Sequence, residues 1–271
     1  MAVAEVKLDQ GIHIMHLFYR VDRTVWDDQM EGVSGNVRIR LERLLKENAN
    51  PCQPRIVPFV NVGAKADLAF MIYAAELGKL SALHRELECC FPADAIDLVY
   101  SYLSVTELPE YVTTEEDLKR MIIGSENLEE GSDAFEQRLE VYKKKQKEYQ
   151  HYRLYPELPD WEVMGFYPMS KRRSGADNWY SLDFETRKRM MAGHAKVGRQ
   201  YAGRISQLIT GSTGLDDWEW GVTLMAHQVD ALKEIVYEMR FDEVSARFGE
   251  FGPFYVNLRM EISDAWEHLK L

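Results

Sequence analysis

Residues 204–226 read RISQLITGSTGLDDWEWGVTLMA. Ile205, Gln207 and Ile209 alternate with Ser206, Leu208 and Thr210, the two-residue period of a strand. The turn-rich GSTGLDD at 211–217 then separates this strand, Arg204–Gly211, from a second at Trp218–Ala226. Upstream, Asp183–Gln200 carries apolar residues at helical spacing and follows a strand at Trp161–Ser170; downstream, Val229–Phe248 and Gly252–Ile262 supply a helix and a strand. The order is β-α-β-β-α-β. The first half repeats it, with strands expected at Ile12–Arg20, Ile56–Val62, Asp67–Tyr73 and Ile96–Ser104, and helices at about Arg23–Glu47 and Gly78–Cys90. The expected fold is therefore α+β, two ferredoxin-like units in one chain of the dimeric α/β-barrel type. Each half lays two helices on one face of a mainly antiparallel sheet, and the other sheet faces pack on each other. The expected division is 1–110, a charged helical linker at 111–160, and 161–271.

Between the halves, Glu107–Asp160 has a different texture. It holds the acidic segments TTEED and SENLEEGSD and a highly charged helix at Asp133–Gln150, closed by Pro156 and Pro159. Lys143–Lys145 with Lys147 read as the solvated face of that helix.

With 271 residues, 46% hydrophobic and 28% charged, the composition suits a globular protein with a real core, and no apolar run reaches the length of a membrane span. The net charge of −11 argues against general nucleic-acid binding, which needs clustered positive charge. Any anionic ligand must find a local basic island. MAVAEVKLDQ has no basic flank or apolar core of a leader, and Cys52, Cys89 and Cys90 form no metal-spaced or CxxC pair. The expected setting is cytoplasmic, with reduced thiols.

His194 projects from an apolar helical stripe of Phe184, Met191, Gly198, Tyr201 and Ile205. A lone histidine on such a face is more often a satisfied core residue. Gly198, one turn away, removes a side chain where a flat cofactor could lie, and a neutral histidine on a helix is a suitable axial donor to haem iron. Gln207 puts an amide into an otherwise apolar strand row, which makes it a structural hydrogen-bonder or a ligand contact. Tyr167, Met169 and Lys171 share one strand face, and Lys171, Arg172 and Arg173 form a basic island suited to carboxylates or phosphates. Arg153, placed after the charged helix and before Pro156, is a similar candidate. Trp218 and Trp220 share a strand face with Val222 and Leu224 and read as core. The remaining histidines show no metal spacing, and there is no phosphate loop, GxGxxG or GxSxG.

Four blocks carry a resemblance: YPMSKRR at 167–173, RxxMMxxHxxxGRxYAG across Arg187–Gly203, QLITGSTGLDDWEWGVTL at 207–224 and YEMRFDEVSARFGEFGPFYV at 237–256. Together they closely resemble the chlorite dismutase-like superfamily, and within it the coprohaem decarboxylases of Gram-positive type. The resemblance implies two ferredoxin-like units per subunit, a homopentameric ring, and a porphyrin held by the C-terminal unit. By the same analogy His194 is the proximal iron ligand and Gln207 the distal residue. Tyr167 matches the redox-active tyrosine, and Lys171 the residue assisting decarboxylation at the second propionate. Arg153, Tyr167, Pro168, Met169, Ser170, Lys171 and Ser245 match propionate contacts, with Arg240 and Trp179 as neighbours.

The implied reaction turns iron-coproporphyrin III, at once substrate and redox cofactor, into haem b with hydrogen peroxide, the last step of a haem-forming route in which a coproporphyrin ferrochelatase is the expected partner. Chlorite dismutases carry an arginine where this chain has Gln207, which counts against chlorite chemistry. A haem-binding or haem-transfer protein on the same scaffold is the alternative, and a cofactor-free barrel with a packed core histidine the blander one.

Overall fold

In a computed structural model of the chain, which describes residues 5–28, 33–49 and 54–271, the hydrogen-bonding pattern carries the strands into a closed ring. The elements run β1 His13–Val21, α1 Arg23–Asp28, α2 Val33–Glu47, β2 Arg55–Val62, β3 Leu68–Ala74, α3 Leu77–Glu88, β4 Ile96–Val105, α4 Glu115–Glu126 and α5 Asp133–Leu154. They continue β5 Val163–Lys171, α6 Phe184–Gln200, β6 Ile205–Gly211, β7 Trp220–Ala226, α7 Val229–Met239, α8 Glu243–Phe248, β8 Gly249–Phe251, β9 Tyr255–Arg259 and α9 Ile262–Leu269. β4-β1-β3-β2 forms one antiparallel half and β6-β7-β5-β9 the other, the same interleaved order twice. β2 pairs with β9, and β4 meets β6 at the single pair Val105↔Gly211, so all strands but the short β8 close a barrel.

Alternation along each strand sorts the side chains. Ile14, Phe18, Phe59, Met71, Tyr102, Phe166 and Met225 fill the barrel interior. His16 joins them, its Nε2 2.9 Å from Thr223 Oγ1 and its ring stacked 4.1 Å from Phe166. Burial drives its pKa down to about 3, so it is neutral there. Outside, the N-terminal sheet carries α2, α3 and α9 over Leu17, Leu41, Phe70, Leu83 and Trp266. The C-terminal sheet carries α7 over Val163, Leu224, Leu232 and Ile235. Both faces of β1, β3 and β5 are thus covered, which is why their sequences read as near-continuous apolar runs.

Four expected elements differ. The helix expected at Arg23–Glu47 is described as α1 and α2, with residues 29–32 between them outside the described residues. Val229–Phe248 is broken at Arg240–Asp242, because the Asp242 side chain accepts the Val244 N–H at 2.9 Å and starts a new helix. The charged helix runs on to Leu154, one residue short of the Tyr155 cap and Pro156, so Arg153 lies in its last turn rather than after it. The acidic TTEED is the start of α4, fixed by a capping box between Thr114 and Asp117. α4 and α5 bury Leu118, Ile122, Phe135 and Leu139 against each other, and Lys144 stays on the solvated face as expected. α9, which the sequence pattern did not suggest, packs Trp266 against Trp26 at 6.0 Å. Cys89 and Cys90 are free thiols, exposed and buried respectively, while Cys52 lies outside the described residues. No described helix is long and apolar enough to cross a membrane.

Candidate functional site

Register sets the floor of the site. On the outer face of the C-terminal sheet three rungs cross β6, β7 and β5: Gln207–Leu224–Gly165, Ile209–Val222–Tyr167 and Gly211–Trp220–Met169. Lys171 follows Met169 at the strand end. Above this floor lies a cavity of about 420 Å³, walled by Met191 and His194 of α6, Ile235 and Met239 of α7, Ser245 of α8, Arg153 of α5 and the segment Glu107–Tyr111. That volume is in the range of small-molecule and cofactor pockets. α6 has no fully buried residue although it is amphipathic, because its inner face borders the cavity instead of a packed core.

Tyr167 is buried, stacked 4.5 Å from Phe254 and near Phe251. Burial pushes its phenol up to about 12, against the opposing charge of Arg240, so the hydroxyl stays protonated. Lys171 is buried too; its Nζ lies 5.0 Å from the Trp179 ring and makes no ion pair among the described residues. Desolvation brings its pKa down to about 8, with Asp242 and Glu219 opposing. The lysine therefore approaches the cavity as a cation that gains from any anion placed beside it.

His194 Nδ1 lies 3.0 Å from Asp242 Oδ2. Burial works against ionisation of Asp242, yet hydrogen bonds from His194 and Ser245 hold it below the usual carboxylate range. An ionised carboxylate can only accept, so Nδ1 carries the hydrogen and Nε2 is left with its lone pair free for a metal. The break between α7 and α8 is what brings Asp242 here. Spacing along α6 alone could not name this partner.

Gln207 faces the cavity, and its amide makes no hydrogen bond among the described residues. Gly198 serves it: a Cβ there would sit 3.4 Å from Gln207 Nε2 and 3.3 Å from Met239 Cε. The space was expected to suit a flat cofactor and is instead taken by the glutamine and the methionine. Arg153 Nη2 donates to the Glu107 carbonyl at 3.3 Å, while its Nε is buried without a partner.

Other expectations are corrected by the strand period. Pro168 and Ser170 point away from the cavity; the former packs by Gly252 and Trp218, and Ser170 Oγ accepts the Glu219 N–H at 3.2 Å. The basic island is split. Arg172 turns to Asp177 and Glu250, at 3.9 and 3.7 Å, and Arg173 is exposed, leaving Lys171 alone at the cavity. β7 starts at Trp220, which lines the cavity, whereas Trp218 precedes the strand and packs toward the barrel interior.

Glu107 was missed altogether. It is open to solvent on one side, and its carboxylate lies over Gly211; desolvation raises its pKa, against the opposing influence of Trp220 and the charge of Arg153. Its only sequence signal was its place at the end of an apolar strand.

Comparison with known proteins gives consistent results. A family model described as chlorite dismutase matches residues 36–260. A solved structure described as a novel heme-binding protein from Thermus thermophilus is 34% identical, with a TM-score of 0.78, covering 99% of this chain and 98% of that one. A mutant chlorite dismutase from Candidatus Nitrospira defluvii is 16% identical with a TM-score of 0.70, over 97% of this chain and 98% of that one. The same organism's enzyme in complex with imidazole aligns at 14% identity and a TM-score of 0.70, over 97% of both chains, and shares the fold.

Proposed function

Because this chain belongs to the chlorite dismutase family, we propose that it binds an iron porphyrin, and that it catalyses hydrogen peroxide-dependent oxidative decarboxylation of iron-coproporphyrin III to haem b. The observation that carries the reading is the pairing of a buried tyrosine and a desolvated lysine on one face of β5, across a cavity from a histidine braced by a carboxylate.

The residues fit such a group. A buried guanidinium nitrogen of Arg153 without a partner and the Lys171 ammonium, which makes no ion pair among the described residues, suit propionates, and Ser245 lines the same cavity. His194 would hold the iron through Nε2, with Asp242 raising its basicity. The iron porphyrin, when bound, supplies redox chemistry with peroxide. Each step converts one propionate, one peroxide and one proton into a vinyl group, carbon dioxide and two waters.

Within that balance, Tyr167 gives up its hydroxyl hydrogen atom and regains one from the propionate methylene, which requires a phenol that is protonated at neutral pH. Lys171 binds the reacting carboxylate and holds it against the tyrosine face. Gln207 carries no charge, so it can orient an oxidant by hydrogen bonding but cannot take its proton. The apolar rungs around Val222 and Leu224 keep water from the reacting side chain.

The test adds iron-coproporphyrin III to the purified protein, titrates in peroxide and follows the porphyrin by mass spectrometry. Stepwise loss of two carboxyl groups is expected. Tight retention of haem b with no such loss would support the second reading, a haem carrier, which is favoured by the similar Thermus protein's description as heme-binding.

A further inference from the structure

Lys171 is held by a carboxylate that the proposed reaction does not use. Glu219 is buried just before β7, and its Oε2 accepts the Lys171 backbone N–H at 2.7 Å. Its own N–H donates to Ser170 Oγ at 3.2 Å, and its carbonyl accepts the Ser212 N–H at 2.7 Å. Arg173 Nη1 stands 3.9 Å from Oε1 on an otherwise exposed side chain, and the Tyr180 phenol is pushed up by burial and by the same carboxylate. A buried carboxylate with a single distant cation is costly unless its charge is used. The ammonium of the residue it binds by the backbone, Lys171, makes no ion pair among the described residues.

We infer that Glu219 is the positioning residue of Lys171: it fixes the backbone from which the ammonium enters the cavity and sets a buried negative charge behind it.

No other carboxylate near Lys171 binds its backbone N–H. Asp242, from the start of α8, favours the cation more strongly than Glu219 does, but its two oxygens hold His194 and the helix cap and nothing of Lys171. Asp177 is shared by Arg172 and Arg247, and Glu250 by Arg172. Trp179 offers the ammonium an uncharged face. The inference deepens the proposed site, but its test needs no porphyrin.

The experiment titrates the lysine side-chain resonances of the ligand-free chain by NMR, with the Lys171 signal assigned from its loss in Lys171→Arg. The wild-type midpoint is expected near 8. In Glu219→Gln the amide oxygen still accepts the Lys171 N–H, so the chain keeps its position and loses the charge. The midpoint should fall by about one unit, a tenfold change in proton affinity, and Glu219→Asp should restore most of it. An unmoved midpoint in a folded Glu219→Gln overturns the inference. Arg173→Ala gives a second reading at an exposed site: with its other cation gone, Glu219 should raise the midpoint, and no rise overturns the inference as well. A wild type that shows this titration yet never decarboxylates coprohaem would remove the proposed reaction and leave the role of Glu219 standing.

Discussion

Asp242 divides its carboxylate between two tasks, with Oδ2 3.0 Å from His194 Nδ1 and Oδ1 2.9 Å from the Val244 N–H that begins α8. The histidine's orientation is thereby tied to the geometry of a helix start. Asn is also a good N-cap, so Asp242→Asn should fold with little loss, whereas Asp242→Ala should cost about 1 kcal/mol. With iron porphyrin bound, Asp242→Asn should lower the iron–histidine stretching frequency in resonance Raman spectra and raise the reduction potential, since the imidazole loses its anionic acceptor. Unchanged values would break the link. The folded pKa of Asp242 is depressed, so this contribution to stability is present above the ordinary aspartate range and is lost as acid titrates through the lowered value.

Affinity for an anionic porphyrin should depend on Lys171. Its pKa of about 8 means that the free protein loses the cation as pH rises through that value. Binding of coproporphyrin III, followed by fluorescence quenching, should weaken several-fold between pH 7 and 9, and Lys171→Met should flatten that dependence. The sign for folding is opposite: the folded pKa lies below the unfolded one, so this group's penalty is full below about 8 and is relieved as pH rises toward the ordinary lysine value.

Tyr167→Phe breaks no hydrogen bond among the described residues, since the ring is held by stacking on Phe254. Its melting temperature and porphyrin affinity should match the wild type, while peroxide should give no decarboxylated product by mass spectrometry. Normal product formation would take Tyr167 out of the reaction.

Two glycines on neighbouring rungs of β6 and β7 should respond differently to alanine. A Cβ at Gly221 would lie 2.5 Å from Tyr102 Cε1, on a fully buried ring, and Gly221→Ala should destabilise by about 1–3 kcal/mol in denaturant unfolding. A Cβ at Gly211 would meet the Glu107 carboxylate at 2.5 Å, the far end of a flexible side chain. Gly211→Ala should keep its stability within about 1 kcal/mol and shift porphyrin affinity instead.

The strand period made Tyr167, Met169 and Lys171 legible as one face, and the helical stripe placed His194 on the cavity side. The same period turns Pro168 and Ser170 away, a consequence that the matching block YPMSKRR obscures. Asp242 was hidden because an apolar run of helical spacing spans Val229–Phe248, and only the side-chain cap at its middle decides that the run breaks. The fate of Arg172 and Arg173 depended on Asp177, brought round by the turn five residues on, and on Glu219 and Glu250, distant in sequence, which no local pattern reports.

The barrel is unevenly stitched. Between its halves β2 and β9 share four paired positions and a buried amide bridge, Asn61 Nδ2 to Asn257 Oδ1 at 2.8 Å, whereas β4 and β6 share only Val105↔Gly211. The weak side is the one beside Glu107 and Arg153, at the cavity wall. Local opening therefore has a preferred line, with the strong side acting as hinge. Amide protons along Val105 and Gly211 should exchange with solvent well ahead of those of β2 and β9.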